Sequence, residues 1–316
     1  IIIKDLIMAI NTGRAQINGT WITLTKNATT GKYEGTIAAP NITSYNINAG
    51  HYYPVIIEAT DMAGNITTAN DSSSNLGEKL KLFVKEVTKP IITITAPASG
   101  AYLANNTPSI TLQLRDETNG SGIKISSLSI KVDNGVTLTN TSPGVNVTAV
   151  TGGYNITYAP QTALTDGSHT VTINVQDNDG NAAIAVSRSF VVDTVPPVLN
   201  ITSPSETTSY RNIDTLSIIG VTNDVTSSVA MVAIILNGVD QGAITVDSSG
   251  NFNKSLTLIE GTNTITVKAT DLAGKVTTVT RTVILDTIAP TLSSIIIAPN
   301  PVNVGQSYVI TVDVTD

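Results

Sequence analysis

Gln176-Asp177-Asn178-Asp179-Gly180-Asn181 closes an alternating apolar segment, Val171-Thr172-Ile173-Asn174-Val175, and the phrase has two close relatives. These are Ala59-Thr60-Asp61-Met62-Ala63-Gly64-Asn65 and Ala269-Thr270-Asp271-Leu272-Ala273-Gly274-Lys275. Alternation of apolar and polar residues is the pattern of a strand with one buried face. The Asp-x-x-Gly that follows is a tight turn: glycine supplies a positive φ, and the aspartate side chain bonds backbone donors within the turn. One strand-and-turn unit repeated in this way makes the chain an array of β-units rather than one large domain.

Proline marks the joints of the array. Glu86-Val87-Thr88-Lys89-Pro90, Asp193-Thr194-Val195-Pro196-Pro197 and Asp286-Thr287-Ile288-Ala289-Pro290 each lead into a strand-like segment that ends in another proline. Proline lacks the donor that a sheet ladder needs, so it belongs in linkers and on edge strands. The joints divide the chain into units at 1–88, 89–194, 195–287 and 288–316. Units of about 90–110 residues with many short strands fit a β-sandwich.

A second landmark sets the phase. Alternating segments end in Asp near the start of the units, at Ile110–Asp116, Leu216–Asp224 and Tyr308–Asp316. Asp224 precedes the hairpin signal Asn237-Gly238 by thirteen residues, and Asp5 precedes Asn18-Gly19 by the same interval. Ile1–Asp5 is therefore expected to be the tail of a second strand. The first unit would lack its opening strand, and 288–316 would supply the first two strands of a further unit.

Composition excludes several classes. The chain has 316 residues, a net charge of −7 and 13% charged residues, which does not suit nucleic acid, whose phosphates demand a basic stripe. Cysteine is absent, so disulfides and Cys-based zinc sites are impossible. The apolar runs are broken by Thr, Asn and Gly well short of the roughly 18–20 residues that span a bilayer. No signal peptide is visible.

The Asp-Thr-x-x-Pro joints, the turn Asp116-Glu117-Thr118-Asn119-Gly120-Ser121-Gly122-Ile123 and the Asp-x-Ala-Gly-Asn hairpins resemble bacterial and archaeal immunoglobulin-like repeats of cell-surface proteins. The resemblance covers essentially the whole chain. It implies an all-β fold of tandem Greek-key sandwiches, in which strands B and F end at one pole and strand A starts there. Asp116 would then approach Asp177, Asp224 would approach Asp271, and the linker acids Glu86 and Asp193 would join them. Carboxylates from three loops form an oxygen-only set of the kind Ca2+ prefers, so Glu86, Asp116, Asp177, Asp193, Asp224 and Asp271 are the expected metal ligands. The plainer reading of each Asp is a turn residue. Asp177-Asn178-Asp179-Gly180-Asn181 is no EF-hand, because it lacks the closing acid and the flanking helices.

Little points to catalysis. The two histidines, His51 and His169, sit just after glycines ahead of the strands that end in the repeated Asp, and Asn263 occupies the matching place in the third unit. That phase suits a loop residue. No Gly-x-Ser-x-Gly elbow and no phosphate-cradling loop leading into a helix is present. Trp21 and the pair Tyr52-Tyr53 are few enough to be packing residues. Asn18, Asn27, Asn41, Asn65, Asn155 and Asn200 head Asn-x-Thr sequons open to N-glycans in a glycosylating source. Isopeptide cross-links are not expected, because no lysine recurs at one repeat phase.

The sequence thus reads as a non-enzymatic extracellular structural protein, a stalk, adhesin or surface-layer segment whose partners are other surface proteins or copies of itself. One alternative is a filament or sheath subunit completed by strand exchange. Another is phage tail decoration or an accessory region of a secreted polysaccharide enzyme.

Overall fold

Alternation becomes strand along most of the chain in the computed structural model, which describes residues 9–316. The expectation for Ile1–Asp5 lies outside the described residues. By its contacts the chain divides into two units. One holds the residues up to Ala101 together with Thr107–Ala163 and His169–Phe190, and the other holds Tyr102–Asn106, Leu164–Ser168 and Val191–Asp316.

The first region contains β1 (Ile10–Ile17), β2 (Thr20–Lys26), β3 (Tyr33–Glu34), β4 (Tyr53–Asp61), β5 (Ile66–Ala69) and β6 (Lys81–Leu82). They form a single sheet in the order β3-β2-β1-β4-β5, with β6 paired to β4. The β1–β2 turn is Asn18-Gly19 with φ of 47° and 78°, the left-handed pair that matches strand twist in a two-residue hairpin. Among the described residues, the buried apolar side chains of this region are Ala15, Tyr53 and Leu80. Among the described residues of this region a second, facing sheet is not formed. The reason is local. The segments 35–52 and 70–76 are rich in Asn, Ser, Thr and Gly without alternation, and they fold as turns and a short 3-10 turn instead of strands.

The next sandwich is complete. It contains β7 (Ile91–Ala96), β8 (Ala101–Leu103), β9 (Ile110–Arg115), β10 (Ser129–Val132), β11 (Val145–Val150), β12 (Gly153–Tyr158), β13 (Gly167–Asn174) and β14 (Val186–Val192). The sheets run β11-β12-β9-β7 and β10-β13-β14-β8. The third repeats the plan with β15 (Val198–Ser203), β16 (Thr208–Arg211), β17 (Thr215–Asn223), β18 (Val229–Leu236), β19 (Val239–Asp240), β20 (Asn251–Thr257), β21 (Gly261–Asp271) and β22 (Val276–Leu285). Its sheets run β15-β17-β20 and β16-β22-β21-β18-β19, with β16 parallel to β22. One sheet carries the first, second and fifth major strands and the other the third, sixth and seventh, which is the immunoglobulin Greek key. In both sandwiches the opening strand breaks at a proline, Pro97 or Pro204, and its second half crosses to the other sheet. Finally β23 (Thr291–Ala298) and β24 (Val309–Thr315) pair as an antiparallel hairpin.

The cores lie between the sheets and follow the period of two. In the third sandwich Leu216, Ile218, Ile234, Ile265, Val267 and Val283 are fully buried. Each such side chain contributes roughly 1.5–3 kcal/mol by leaving water. Gly220 belongs to this packing: a Cβ there would stand 2.5 Å from the Phe252 ring and 2.7 Å from the Asn200 carbonyl oxygen. On β17 the neighbours Ile218 and Ile219 point to opposite faces, with exposures of 0% and 40%. Ile218→Ala is therefore expected to cost about 2–5 kcal/mol by transfer plus cavity, and Ile219→Ala under about 1 kcal/mol. Denaturant unfolding of the two variants checks the difference.

Candidate functional site

The repeated Asp turns share one geometry. In the first, Asp61 Oδ1 accepts the backbone N–H groups of Ala63 and Asn65 at 2.9 Å, and Oδ2 accepts the Asn65 side-chain amide at 2.8 Å. The Asn65 amide, with the backbone donors, holds the Asp61 carboxyl below its ordinary range. Asp177 repeats this, accepting Asn181 N–H at 2.8 Å and Asn181 Nδ2 at 2.7 Å. Asp247 is a further copy, bonded to the backbone and side chain of Asn251, and the sequence reading missed it. Its signal was present as Asp247-Ser248-Ser249-Gly250-Asn251.

Asp271 departs from the pattern. Its Oδ1 accepts the backbone N–H of Lys275 at 2.8 Å, but lysine stands where the other turns carry asparagine. No side-chain amide reaches Oδ2, which is buried without a hydrogen-bond partner. Asp193, from the linker, is in the same condition. Its Oδ1 accepts Val195 N–H at 3.1 Å and its Oδ2 is buried and unpartnered. The exposures of Asp193 and Asp271 are 0% and 2%. Asp224, just past β17, completes the group, with Oδ1 held by the N–H groups of Thr226, Ser227 and Ser228 at 2.7–3.1 Å. One carboxylate oxygen from each of the three lies within 4.8 Å of the others.

The corresponding pole of the second sandwich holds Glu86, Asp116 and Glu117 within the same distance. Glu86 Oε1 accepts Ser121 N–H at 2.5 Å, and Asp116 Oδ2 accepts Gly122 N–H at 2.7 Å. Glu86 Oε2, Asp116 Oδ1 and Glu117 Oε2 are buried without partners. The acids close around Gly120, where a Cβ would fall 2.6 Å from Glu86 Oε2 and 2.8 Å from Asp116 Oδ2. Burial, then the Glu117 carboxyl beside it, push the Glu86 carboxyl up to about 7 against the pull of the Ser121 N–H. Burial also raises Asp116, opposed by the Gly122 N–H and reinforced by the charges of Glu86 and Asp177.

Five of the six sequence-derived ligand candidates thus fall into these clusters. Asp177 does not, because Asn181 occupies both of its oxygens. Glu117 takes the third place instead, and its signal was the acidic doublet Asp116-Glu117. The loop of Asp177 serves as a dock. Asp179 Oδ2 accepts the Thr43 hydroxyl and, at 3.1 Å, the backbone N–H of Glu86. Asn181 Nδ2 donates to the Glu86 carbonyl at 3.2 Å, and Asn46 Nδ2 to that of Gly120 at 2.8 Å.

The other singled-out residues pack. His169 is buried with Nδ1 2.7 Å from Asp133 Oδ2, while Asp133 Oδ1 takes the Thr170 N–H. Asn237 and Asn263 make the same arrangement in the third sandwich, with Asn237 Oδ1 taking Thr264 N–H. An amide pair thus does what the histidine pair does. Burial pushes the Asp133 carboxyl up, but bonds from His169 and Thr170 outweigh it and leave it low. His51 is exposed and stacks on Tyr45 at 4.1 Å. The Arg14 guanidinium lies 4.2 Å over the Trp21 ring, and Tyr53 is buried with its hydroxyl on the Ile42 carbonyl.

Glu86 carries a pH prediction. Unfolded, a glutamate titrates near about 4.3. A folded value of about 7 means that the fold favours the protonated form. This stabilising contribution is complete below the unfolded value and is lost as pH rises through the folded one. Glu86→Gln, which keeps the acceptor for the Ser121 N–H and carries no charge, should match the parent chain at acid pH and exceed its stability above neutrality. Urea unfolding on both sides of that window checks it.

Residues 99–194 match the family model described as a bacterial Ig-like domain, and residues 197–287 match that described as glucodextranase, domain B. Comparison with curated proteins gave no match. Similar solved structures include fibronectin(III)-like modules of Clostridium thermocellum CbhA, at 17% identity and TM-score 0.37, over 62% of this chain and 94% of that one. A structure of a 1.5-MDa bacterial ice-binding adhesin aligns at 18% identity and TM-score 0.30, over 89% and 88%. A tetra-tandem repeat from the extending region of a large adhesion protein aligns at 16% and 0.34, over 97% and 81%. With the strand order of the second and third sandwiches, the two matches make residues 99–194 and 197–287 immunoglobulin-like sandwiches, the first of them similar to a bacterial Ig-like domain.

Proposed function

We propose that the chain is a non-enzymatic extracellular structural protein in which immunoglobulin-like domains act in series as a surface stalk, adhesin or surface-layer segment. The observation that carries this reading is the treatment of the linkers. Asp166 accepts both the backbone N–H and the hydroxyl of Thr194, at 2.9 and 3.0 Å. Glu260 accepts the same two donors of Thr287, at 3.1 and 2.9 Å. The acid that opens each of these linkers bonds the N–H two residues on, Asp193 to Val195 and Asp286 to Ile288. The Asp-Thr of each joint is thus a gripped segment, followed by prolines that restrict φ. A chain built to transmit length and tension needs joints of that kind, and none of these residues is asked to do chemistry. Among the described residues, no helix is long and apolar enough to cross a membrane.

Partners under this reading are other surface proteins or copies of the chain, with N-glycans where the source attaches them. Pulling on single tethered molecules tests the mechanical role. The second and third sandwiches should each rupture in one event that releases about 30 nm of chain. Smooth extension without discrete ruptures would defeat the reading. Antibody labelling of intact source cells tests the location.

A second reading, assembly by strand addition between chains, is favoured by one feature. The β23–β24 hairpin exposes Leu292, Ile295, Ile296, Val309, Ile310 and Val314, and sheet edges of that composition recruit further strands. It predicts concentration-dependent oligomers that disappear when 300–316 are deleted. A chain that stays monomeric by light scattering, with unchanged stability after that deletion, would exclude it.

A further inference from the structure

We propose that Asp193, Asp224 and Asp271 bind one divalent cation of the hard, oxygen-preferring class, calcium, and that the ion fastens the incoming linker to the pole of the third sandwich.

Three observations converge on this group. First, the geometry fits one ion. Oxygens bonded to Ca2+ at 2.3–2.6 Å stand no more than about 5 Å apart across it. One oxygen from each of the three carboxylates lies within 4.8 Å of the other two. Second, Asp193 and Asp271 are at least nine-tenths buried, and each has an Oδ2 that receives no hydrogen bond. A carboxylate withdrawn from water requires donors or a counter-charge. Among the described residues, none of the three makes an ion pair with lysine, arginine or histidine. Third, the oxygens are pre-set. Val195, Lys275 and the run 226–228 each donate backbone N–H groups to the Oδ1 of one aspartate, which fixes how the carboxylate is turned.

The donor set decides the class of ion. Carboxylates alone, without nitrogen or sulfur, suit hard cations. Ligands from three separate segments are more easily arranged around the larger, geometrically tolerant Ca2+ than in the strict octahedron of Mg2+. Asp224 is half-buried and lines an open cleft of about 260 Å3 with Ser228 and Asp247, through which ions and the remaining water ligands can arrive.

Lys275 explains why the site is found here and not at every turn. In the Asp61 and Asp177 turns an asparagine four residues on fills the second oxygen. At Asp271 that place is taken by lysine, so the oxygen stays available. The acids around Glu86 differ as well, since Glu86 and Asp116 are only half-buried.

Calorimetry of the full chain, stripped with EGTA and then titrated with CaCl2, tests the proposal. Millimolar calcium should raise one unfolding transition by about 5 °C. Asp271→Asn should remove that rise. Lys275→Asn leaves all three acids in place but offers Oδ2 an amide, and should weaken the calcium response about tenfold. The lysine substitution lies in a surface turn, so it decides the matter even if Asp271→Asn fails to fold. Glu86→Gln should keep the full response. The proposal is overturned if calcium has no effect on the parent chain, if the rise survives in Asp271→Asn, if it is undiminished in Lys275→Asn, or if it is lost in Glu86→Gln.

Discussion

A carboxylate oxygen taken out of water must meet a donor, a proton or a cation, and the poles of these sandwiches are arranged around that demand. The tight turn after the sixth strand brings an aspartate inward because its backbone donors need an acceptor. That satisfies Oδ1 in every copy. The second oxygen is settled differently, by asparagine at Asp61 and Asp177 and by no side-chain amide at Asp271. Leaving such a group unmatched costs several kcal/mol, a large fraction of a domain's stability. Around Glu86 burial, then the Glu117 carboxyl beside it, push the Glu86 carboxyl up to about 7, so a proton can meet part of the demand. Around Asp271 two buried carboxylates each keep one oxygen without a donor, and the proposed cation would meet that demand.

The same chemistry holds the linkers. Acids at the ends of loops grip threonine through its N–H and hydroxyl together, at Thr194 and Thr287, and the linker acids bond forward along their own chain. Sandwich cores built on a period of two supply stability, and polar groups at the poles hold the linker segments.

Much of this was legible in the sequence because it depends on local rules. Alternation located the strands, Asn18-Gly19 and Asn237-Gly238 turned where expected, and the immunoglobulin topology brought Asp193, Asp224 and Asp271 together. Three things were not legible. Alternation reports that one face of a strand is apolar, not that another sheet covers it, so the single layer formed by β1–β6 went unforeseen. Asp177 looked like Asp271, because the distinguishing residue lies four positions on and acts through a side-chain amide. Glu117 was overlooked because only the folding of the turn over Gly120 brings it against Glu86.

A crystal structure of the chain grown in calcium tests most directly whether the oxygens left without donors at the third sandwich are cation ligands. A single strong peak is expected within about 2.3–2.6 Å of oxygens from Asp193, Asp224 and Asp271, completed by waters or carbonyls. Three carboxylates found instead bonded to one another through protons, or closed over the Lys275 ammonium, would contradict it.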